Sequence, residues 1–386
     1  MAPASRTRAF GAVRRPNPRG GTPVNALRPI PAAALAVAVA LLLSSCAANE
    51  RAAREAATDS DLSGNLVGTG SSAQDAAQQA WIAAFQTAHP DVTIDYDPNG
   101  SGAGRETFIE GAADYGASDR AYTLDELADG AFAACVPDSD IVELPLYIAP
   151  IAVIFNLDGI DSLDLSPDVL AEIFAGTITR WDDPAIAATN PDVALPAIAI
   201  TPVHRSDDSG TTETFTEYLG AVAPDAWTWQ ADGVWPIKGG EAAQGNSGVV
   251  DSVGRGSGAI GYADASRAGG LGTVRLGVGD EFVAFSPEAA AAVADHSPFE
   301  PGRSDVDLAI AVDRSTTESG VYPLVLVSYL IACADYLDAE DGALVREYLA
   351  YVASPEGQEA GAAAAGSAPI SDSLRERVEA AIAVIG

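Results

Sequence analysis

The sequence predicts an α/β fold. Segments with strand-like and helix-like apolar spacing alternate along most of the chain, and no internal repeat is visible. Three Gly- and Ser-rich turns each stand between a strand pattern and a helix pattern. The length, 386 residues, suits two domains of about 150 residues each, or one large one. A hydrophobic share of 48% and a charged share of 19% rule out wholesale disorder. The net charge of −33, from 21 basic and 54 acidic residues, has the wrong sign for a nucleic-acid binder. Three His and three Cys argue against a multi-ligand zinc cluster.

The first element is an export signal. Residues 1–28 hold six Arg and no acid, and the nearly continuous apolar run Ile30 to Leu43 follows. That run is 14 residues long, short for a bilayer span and suited to a signal peptide. It ends in Leu43-Ser44-Ser45-Cys46, which resembles a bacterial lipobox. The expectation is a lipoprotein signal peptide over 1–45 with Cys46 lipidated. The alternative is an ordinary signal peptide with a chance Cys. The basic leader is long, so translation starting near Val24 is a further expectation; Met1 is the only Met, which makes that start non-AUG. Removing the leader takes six basic and no acidic residues, leaving a net charge of −39. Cys135 and Cys333 then remain as a natural disulfide pair in an oxidising compartment, against two separate buried thiols.

Residues 46–60, small and charged, read as a flexible tether. Asn65-Leu66-Val67 is strand-like and meets the turn Gly68-Thr69-Gly70-Ser71-Ser72. Ser72 and Asp75 are spaced as a capping box, and Ala77, Ala80, Trp81, Ala84 and Phe85 form the apolar stripe of a helix ended by His89-Pro90. Val92 to Tyr96 alternates as a strand, the turn Asn99 to Gly104 precedes a short helix, and Tyr115 to Asp119 ends a strand. Leu144 to Leu157 is a long apolar run holding Pro145 and Pro150, the pattern of a crossover strand. Ser166-Pro167 opens a helix with Ser as cap and Pro at the first helical position. Ala197 to Val203 reads as a strand running into His204 to Thr212, followed by a helix through Leu219. Residues 233–280 are Gly-rich, Val321 to Ile331 is a second crossover run, and the chain from Asp341 is helical with a break at Ser354-Pro355.

The three turns share one physical character. A helix start carries unpaired N–H groups and about half a positive charge. Gly lets backbone approach a ligand, and Ser or Thr adds a hydroxyl. Ser71-Ser72, Gly100-Ser101-Gly102 and Ser209-Gly210-Thr211 converging on one point would form an anion site with few cations. No Gly-Lys-Ser/Thr follows any of them, so they are not a P-loop. Each turn alone is readable as a plain helix cap. Arg205 precedes the third turn with a forked guanidinium suited to a tetrahedral oxyanion, and Asp207 beside it can orient it. Asp119 is diagnostic if it faces the ligand. An ionised carboxylate only accepts, so it suits a ligand that carries a proton, as phosphate does and sulfate does not. Its plain alternative is a turn Asp.

At this point the sequence resembles a known family. The phrases G-T-G-S-S-A-Q (68–74), G-S-G-A-G (100–104), Y-G-A-S-D (115–119), R-W-D-D-P-A-I-A-A-T-N-P (180–191), R-S-D-D-S-G-T-T-E-T-F (205–215) and G-A-I-G-Y (258–262) are similar, in order, to the substrate-binding protein of the bacterial phosphate ABC transporter. The resemblance implies a two-lobed periplasmic-binding-protein (type II) fold with phosphate in the cleft. Lobe one would hold 61–148 plus 322–386 and lobe two 149–321, with hinges near 145–156 and 315–325. The implied phosphate contacts are Ser72, the Ala73 backbone, Ser101, Asp119, Arg205, Ser209, Gly210 and Thr211. Many members have Thr-Phe where Ser72-Ala73 stands, and Gly is common where the turn Asp207-Asp208-Ser209 carries an extra acid. The implied role is phosphate capture outside the membrane and delivery to ABC permease subunits with a cytoplasmic ATPase. The implied form is a monomer without cofactor or catalysis, anchored by lipid through Cys46. Three rival readings remain: binding of sulfate or molybdate, phosphate sensing or adhesion without transport, and a hydrolase using Ser209 with His204.

Overall fold

The computed structural model describes residues 62–386. Cys46, the signal peptide and the tether lie outside the described residues. The fold opens with three strand–helix units: β1 (Gly64–Gly70), α1 (Asp75–Ala88), β2 (Val92–Asp97), α2 (Ser101–Ile109), β3 (Tyr115–Ser118) and the short α3 (Leu124–Asp129). β1 pairs in parallel with both β2 and β3, so the ends of β1 and β3 point the same way.

β4 (Ile141–Phe155) follows, 15 residues long and buried throughout. A strand covered on both faces reads as a continuous apolar run, which is why Leu144 to Leu157 stands out in the sequence. Its two prolines sit where a lost N–H matters least. The register against β11 (Val325–Cys333) shifts beside Pro145, and Pro150 pairs with the first residue of β11.

Then come β5 (Ser162–Leu165), α4 (Pro167–Phe174), α5 (Pro184–Thr189), β6 (Thr201–Arg205), α6 (Gly210–Val222), β7 (Glu241–Ala243), α7 (Gly245–Arg255), β8 (Ala259–Asp264), β9 (Gly272–Val278), β10 (Glu281–Val283) and α8 (Pro287–His296). After β11 the chain closes with α9 (Ala339–Ala353), α10 (Pro355–Ala365) and α11 (Asp372–Ile382). The sheet runs β2-β1-β3-β11-β4-β8-β6-β7. Nine of the first ten residues of β4 pair with β11, Leu146 being skipped at the register shift, and the last five pair with β8. β4 is therefore the shared spine of two mixed sheets, and the apolar core follows it along its length.

Several local expectations hold. Ser166 caps α4 through the Val169 N–H, with Pro167 at its start, and Ser354-Pro355 separates α9 from α10. Cys135 and Cys333 form a disulfide with a Cα–Cα distance of 5.4 Å, closing a loop of 198 residues. Other expectations are corrected. The Ser72–Asp75 capping box does not form: α1 has Gln74 at its cap with no side-chain bond, because Ser72 is held by a distant residue described below. The strand before the Arg205 turn, β6, spans Thr201–Arg205 rather than Ala197–Val203. Residues 197–200 instead bridge to Thr179–Trp181 through Trp181 N–H to Ile198 and Ile200 N–H to Thr179. α2 begins at Ser101, inside the expected turn.

Candidate functional site

The three Gly/Ser turns do converge. Gly100 has φ +108°, and a Cβ there would stand 2.8 Å from Asp207 Oδ2, so only Gly lets the second turn meet the Arg205 segment. A Cβ on Gly210 would stand 2.5 Å from the Asp119 Cβ and 2.9 Å from Ser101 Oγ. The start of α6 is thus pressed directly onto the end of β3 and the start of α2. Ser72, Ala73, Ser101, Asp119, Arg205, Ser209 and Thr211 are all buried.

Asp119 lies at the centre. Its Oδ1 accepts from Ser71 Oγ and from Ser328 Oγ at 2.7 Å, and its Oδ2 accepts from Thr211 Oγ1 at 3.1 Å. Its own N–H donates to Ser101 Oγ at 3.1 Å. A carboxylate has about four lone-pair positions, so three hydroxyls leave one on Oδ2. Arg205 donates from Nε to Asp207 Oδ1 at 2.8 Å and from Nη2 to Asp207 Oδ2. Two of five guanidinium N–H groups are used in this way and three are left. Asp207 also accepts the Gly245 N–H at 3.2 Å, at the start of α7. Burial works to raise the Asp207 pKa, but the bonds from Arg205 and Gly245 outweigh it and hold the carboxyl below its ordinary range.

Ser209 caps α6, its Oγ accepting the Thr212 N–H at 3.2 Å. Gly210 and Thr211 follow as the first residues of the helix, whose N–H groups no intrahelical carbonyl can reach. The Ala73 N–H donates to Ser71 Oγ at 3.1 Å. His204 does not approach Ser209 as the hydrolase reading requires. Its ring stacks on Trp235 and its nitrogens face the carbonyls of Arg205 and Gly239 at 2.9 and 3.2 Å.

Two ion pairs flank these groups. Arg120 meets Glu213 at 2.9 Å, and Arg267 meets Asp75. A cavity of about 630 Å³ opens beside Asp119, lined by Arg120, Glu213, Glu217, Arg303 and Arg314 among others. The larger cavity, about 840 Å³, lies away from this point, next to Cys135 and Leu337. Size does not mark the point where the three turns meet, because its hydroxyls close on one another.

Comparison with known proteins gives the chain's family. Residues 55–356 match the model of a PBP superfamily domain. The chain is 33% identical over 357 residues to phosphate-binding protein PstS 3 of Mycobacterium leprae (strain TN), covering 89% of this chain and 95% of the relative. It belongs to the PstS phosphate-binding-protein family. Phosphate-binding protein PstS 2 of Mycobacterium tuberculosis (strain ATCC 25618 / H37Rv) is 32% identical over 325 residues, covering 83% of this chain and 87% of the relative. In fold, the chain is similar to PfluDING, a high affinity periplasmic phosphate-binding protein bound with phosphate. The TM-score is 0.66 at 22% identity, covering 82% of this chain and 93% of that one. A phosphate-binding protein from Stenotrophomonas maltophilia gives 0.62 at 19% identity, covering 82% and 93%. The two-lobed α/β fold expected from the sequence is the fold of these proteins.

The structure also brings to this point residues that sequence reasoning missed. Ser328 on β11 reaches Asp119, and Gln74 holds Ser328 through an Nε2–Oγ bond of 2.7 Å. Asn246 donates to Ser72 Oγ from both its backbone N–H and its Nδ2, at 3.3 and 3.1 Å. Asp264 binds Asn246 Oδ1 through its N–H at 2.8 Å and accepts Tyr147 Oη at 2.9 Å. Burial raises the Asp264 carboxyl to about 6, against hydrogen bonds from Ser266 and Tyr147 that favour its charge. A signal for Asn246 exists: Ala243-Gln244-Gly245-Asn246 is a fourth strand–Gly–helix junction. Nothing local distinguishes Ser328 within an apolar strand.

Proposed function

We propose that this protein binds inorganic phosphate outside the membrane and delivers it to an ABC-type permease. The observation that carries the reading is Asp119. It is a buried carboxylate where the three turns meet, with three hydroxyls on it and one acceptor position remaining. Such a position suits an anion that keeps an O–H. Phosphate keeps one near neutral pH and sulfate none.

In this reading the first α6 N–H groups at Gly210 and Thr211 and the hydroxyls of Ser72, Ser101 and Ser209 replace the anion's water shell, while the Ala73 N–H stays on Ser71 Oγ rather than on the anion. Arg205, oriented by Asp207, supplies the cation, and the Asp119 Oδ2 receives the phosphate proton. Thr211 acts both at its N–H and through its bond to Asp119. The net charge of −39 opposes capture, but charges are screened beyond about 8 Å at physiological salt, so the nearby donors dominate.

The proposed lobes are 61–148 with 322–386, and 149–321. Contacts from Thr211 to Asp119 and from Asn246 to Ser72 then join the lobes, as do the Arg120–Glu213 and Arg267–Asp75 pairs. Phosphate favours closure because it bonds both lobes only when they meet. Flexing falls on β4 and on the return into β11. The proposal includes a monomer held at the membrane by lipid on Cys46, with docking of the closed form to the permease.

Titration calorimetry of the purified protein with phosphate and sulfate tests the reading. The expected result is phosphate binding with sulfate disfavoured by about 10⁴-fold or more, as for a mismatched buried polar site. Equal affinities, or no phosphate binding, would refute it.

A further inference from the structure

Asn246 belongs to none of the three turns. It is the second residue of α7, 1% exposed. Its Oδ1 faces the Asp264 N–H at 2.8 Å. A backbone N–H only donates, so this bond determines which end of the amide carries the hydrogens. The Nδ2 hydrogens are then aimed at Ser72 Oγ, at 3.1 Å, and at Thr211 Oγ1, at 3.4 Å. The Asn246 backbone N–H adds a second bond to Ser72 Oγ at 3.3 Å.

A serine hydroxyl has two acceptor lone pairs and one hydrogen. Asn246 takes both acceptor positions of Ser72, so only the hydrogen is left for another partner. Thr211 is constrained in the same sense. Its hydrogen goes to Asp119 Oδ2 at 3.1 Å, because a carboxylate accepts only, and its oxygen takes the Asn246 amide.

We propose that Asn246 is a specificity-determining positioning residue that obliges the Ser72 hydroxyl to donate to the bound anion. The inference rests on the phosphate reading above and deepens it. With Ser72 held as a donor, Asp119 is the acceptor for the phosphate proton, and an anion oxygen bearing hydrogen finds no partner at Ser72. Without the Asn246 side chain the backbone N–H still fills one acceptor position of Ser72, but the other is free, so the hydroxyl can accept as well as donate. Asn246 therefore acts on binding through Ser72 and not independently of it.

The test is a double-mutant cycle on the purified full-length chain: parent, Ser72→Ala, Asn246→Ala and the double variant, each titrated with inorganic phosphate by calorimetry. Each single change is expected to weaken binding by about ten-fold, the size of one neutral hydrogen bond. The double variant is expected within about two-fold of Ser72→Ala alone. A purely structural role moves affinity independently of Ser72, so losses that multiply to roughly a hundred-fold overturn the proposal. So does an Asn246→Ala protein that binds like the parent. Melting without phosphate checks that each variant folds. Should Asn246→Ala not fold, Asn246→Ser, which keeps an acceptor for the Asp264 N–H, replaces it in the cycle and the same outcomes decide. A parent that binds no phosphate sinks the functional reading instead, so the two failures are distinct.

Discussion

Replacing Asp119 with Asn changes one acceptor into a donor in nearly the same volume. The structure decides which one. Oδ1 receives two hydroxyls, Ser71 and Ser328, and each of those already accepts a bond, from the Ala73 N–H and from Gln74 Nε2. Oδ2 receives only Thr211, whose hydroxyl can turn. The amide oxygen therefore stays at the Oδ1 position, and Nδ2 points to Thr211 and to the proposed ligand. Phosphate then loses a charge-assisted bond from its O–H, a cost of about 1.5–3 kcal/mol or roughly 10- to 150-fold in affinity. Sulfate gains a neutral donor, roughly 0.5–1.5 kcal/mol. The expected shift in preference is about 2–4 kcal/mol, on the order of 30- to 1,000-fold toward sulfate. Calorimetric titration of parent and Asp119→Asn with both anions at neutral pH measures it. An unchanged ratio of the two dissociation constants would refute the role given to Asp119.

Arg205→Ala removes the buried guanidinium that pairs with half-buried Asp207, and is expected to weaken phosphate binding by several kcal/mol, read as loss of the calorimetric signal. Cys135→Ser with Cys333→Ser opens a loop of 198 residues and should lower unfolding stability by about 5 kcal/mol, seen in denaturant titration. For Asp264 the folded pKa of about 6 lies above the ordinary value of 3.8, so the folded state holds its proton longer. Its contribution to stability is then present at low pH and is lost as pH rises from about 4 to about 6, a fall on the order of 3 kcal/mol. Asp264→Asn is expected to flatten that part of the stability–pH profile, and an unaltered slope between parent and variant counts against the burial argument.

Much of the architecture was legible because its causes are local. Ser166-Pro167 and Ser354-Pro355 cap helices with their own side chains, so a few adjacent residues suffice. The Gly/Ser turns were visible for the same reason. β4 and β11 announce themselves as apolar runs because both faces are covered. The candidate site was legible through three turns, Arg205 and Asp119. The errors arise where tertiary partners compete with local ones. Ser72 has the spacing of a cap for α1, but its oxygen accepts from Asn246, 174 residues away. Ala197–Ile200 has strand-forming residues, yet it bridges to Thr179–Trp181 ahead of the ladder.

What the sequence determined by itself is a set of parts: alternating strands and helices, three helix starts able to face an anion, one guanidinium and one acid. Helix ends and Gly turns obey short-range geometry, so no folded context is needed to recognise them. Only the tertiary structure decided what each hydroxyl does. Ser71, Thr211 and Ser328 come to one carboxylate from positions as far as 209 residues from it, and Asn246 sets the sense of Ser72 from another helix. A hydroxyl donates or accepts according to its neighbours, and the neighbours are chosen by the way β4 and β11 bring distant segments together.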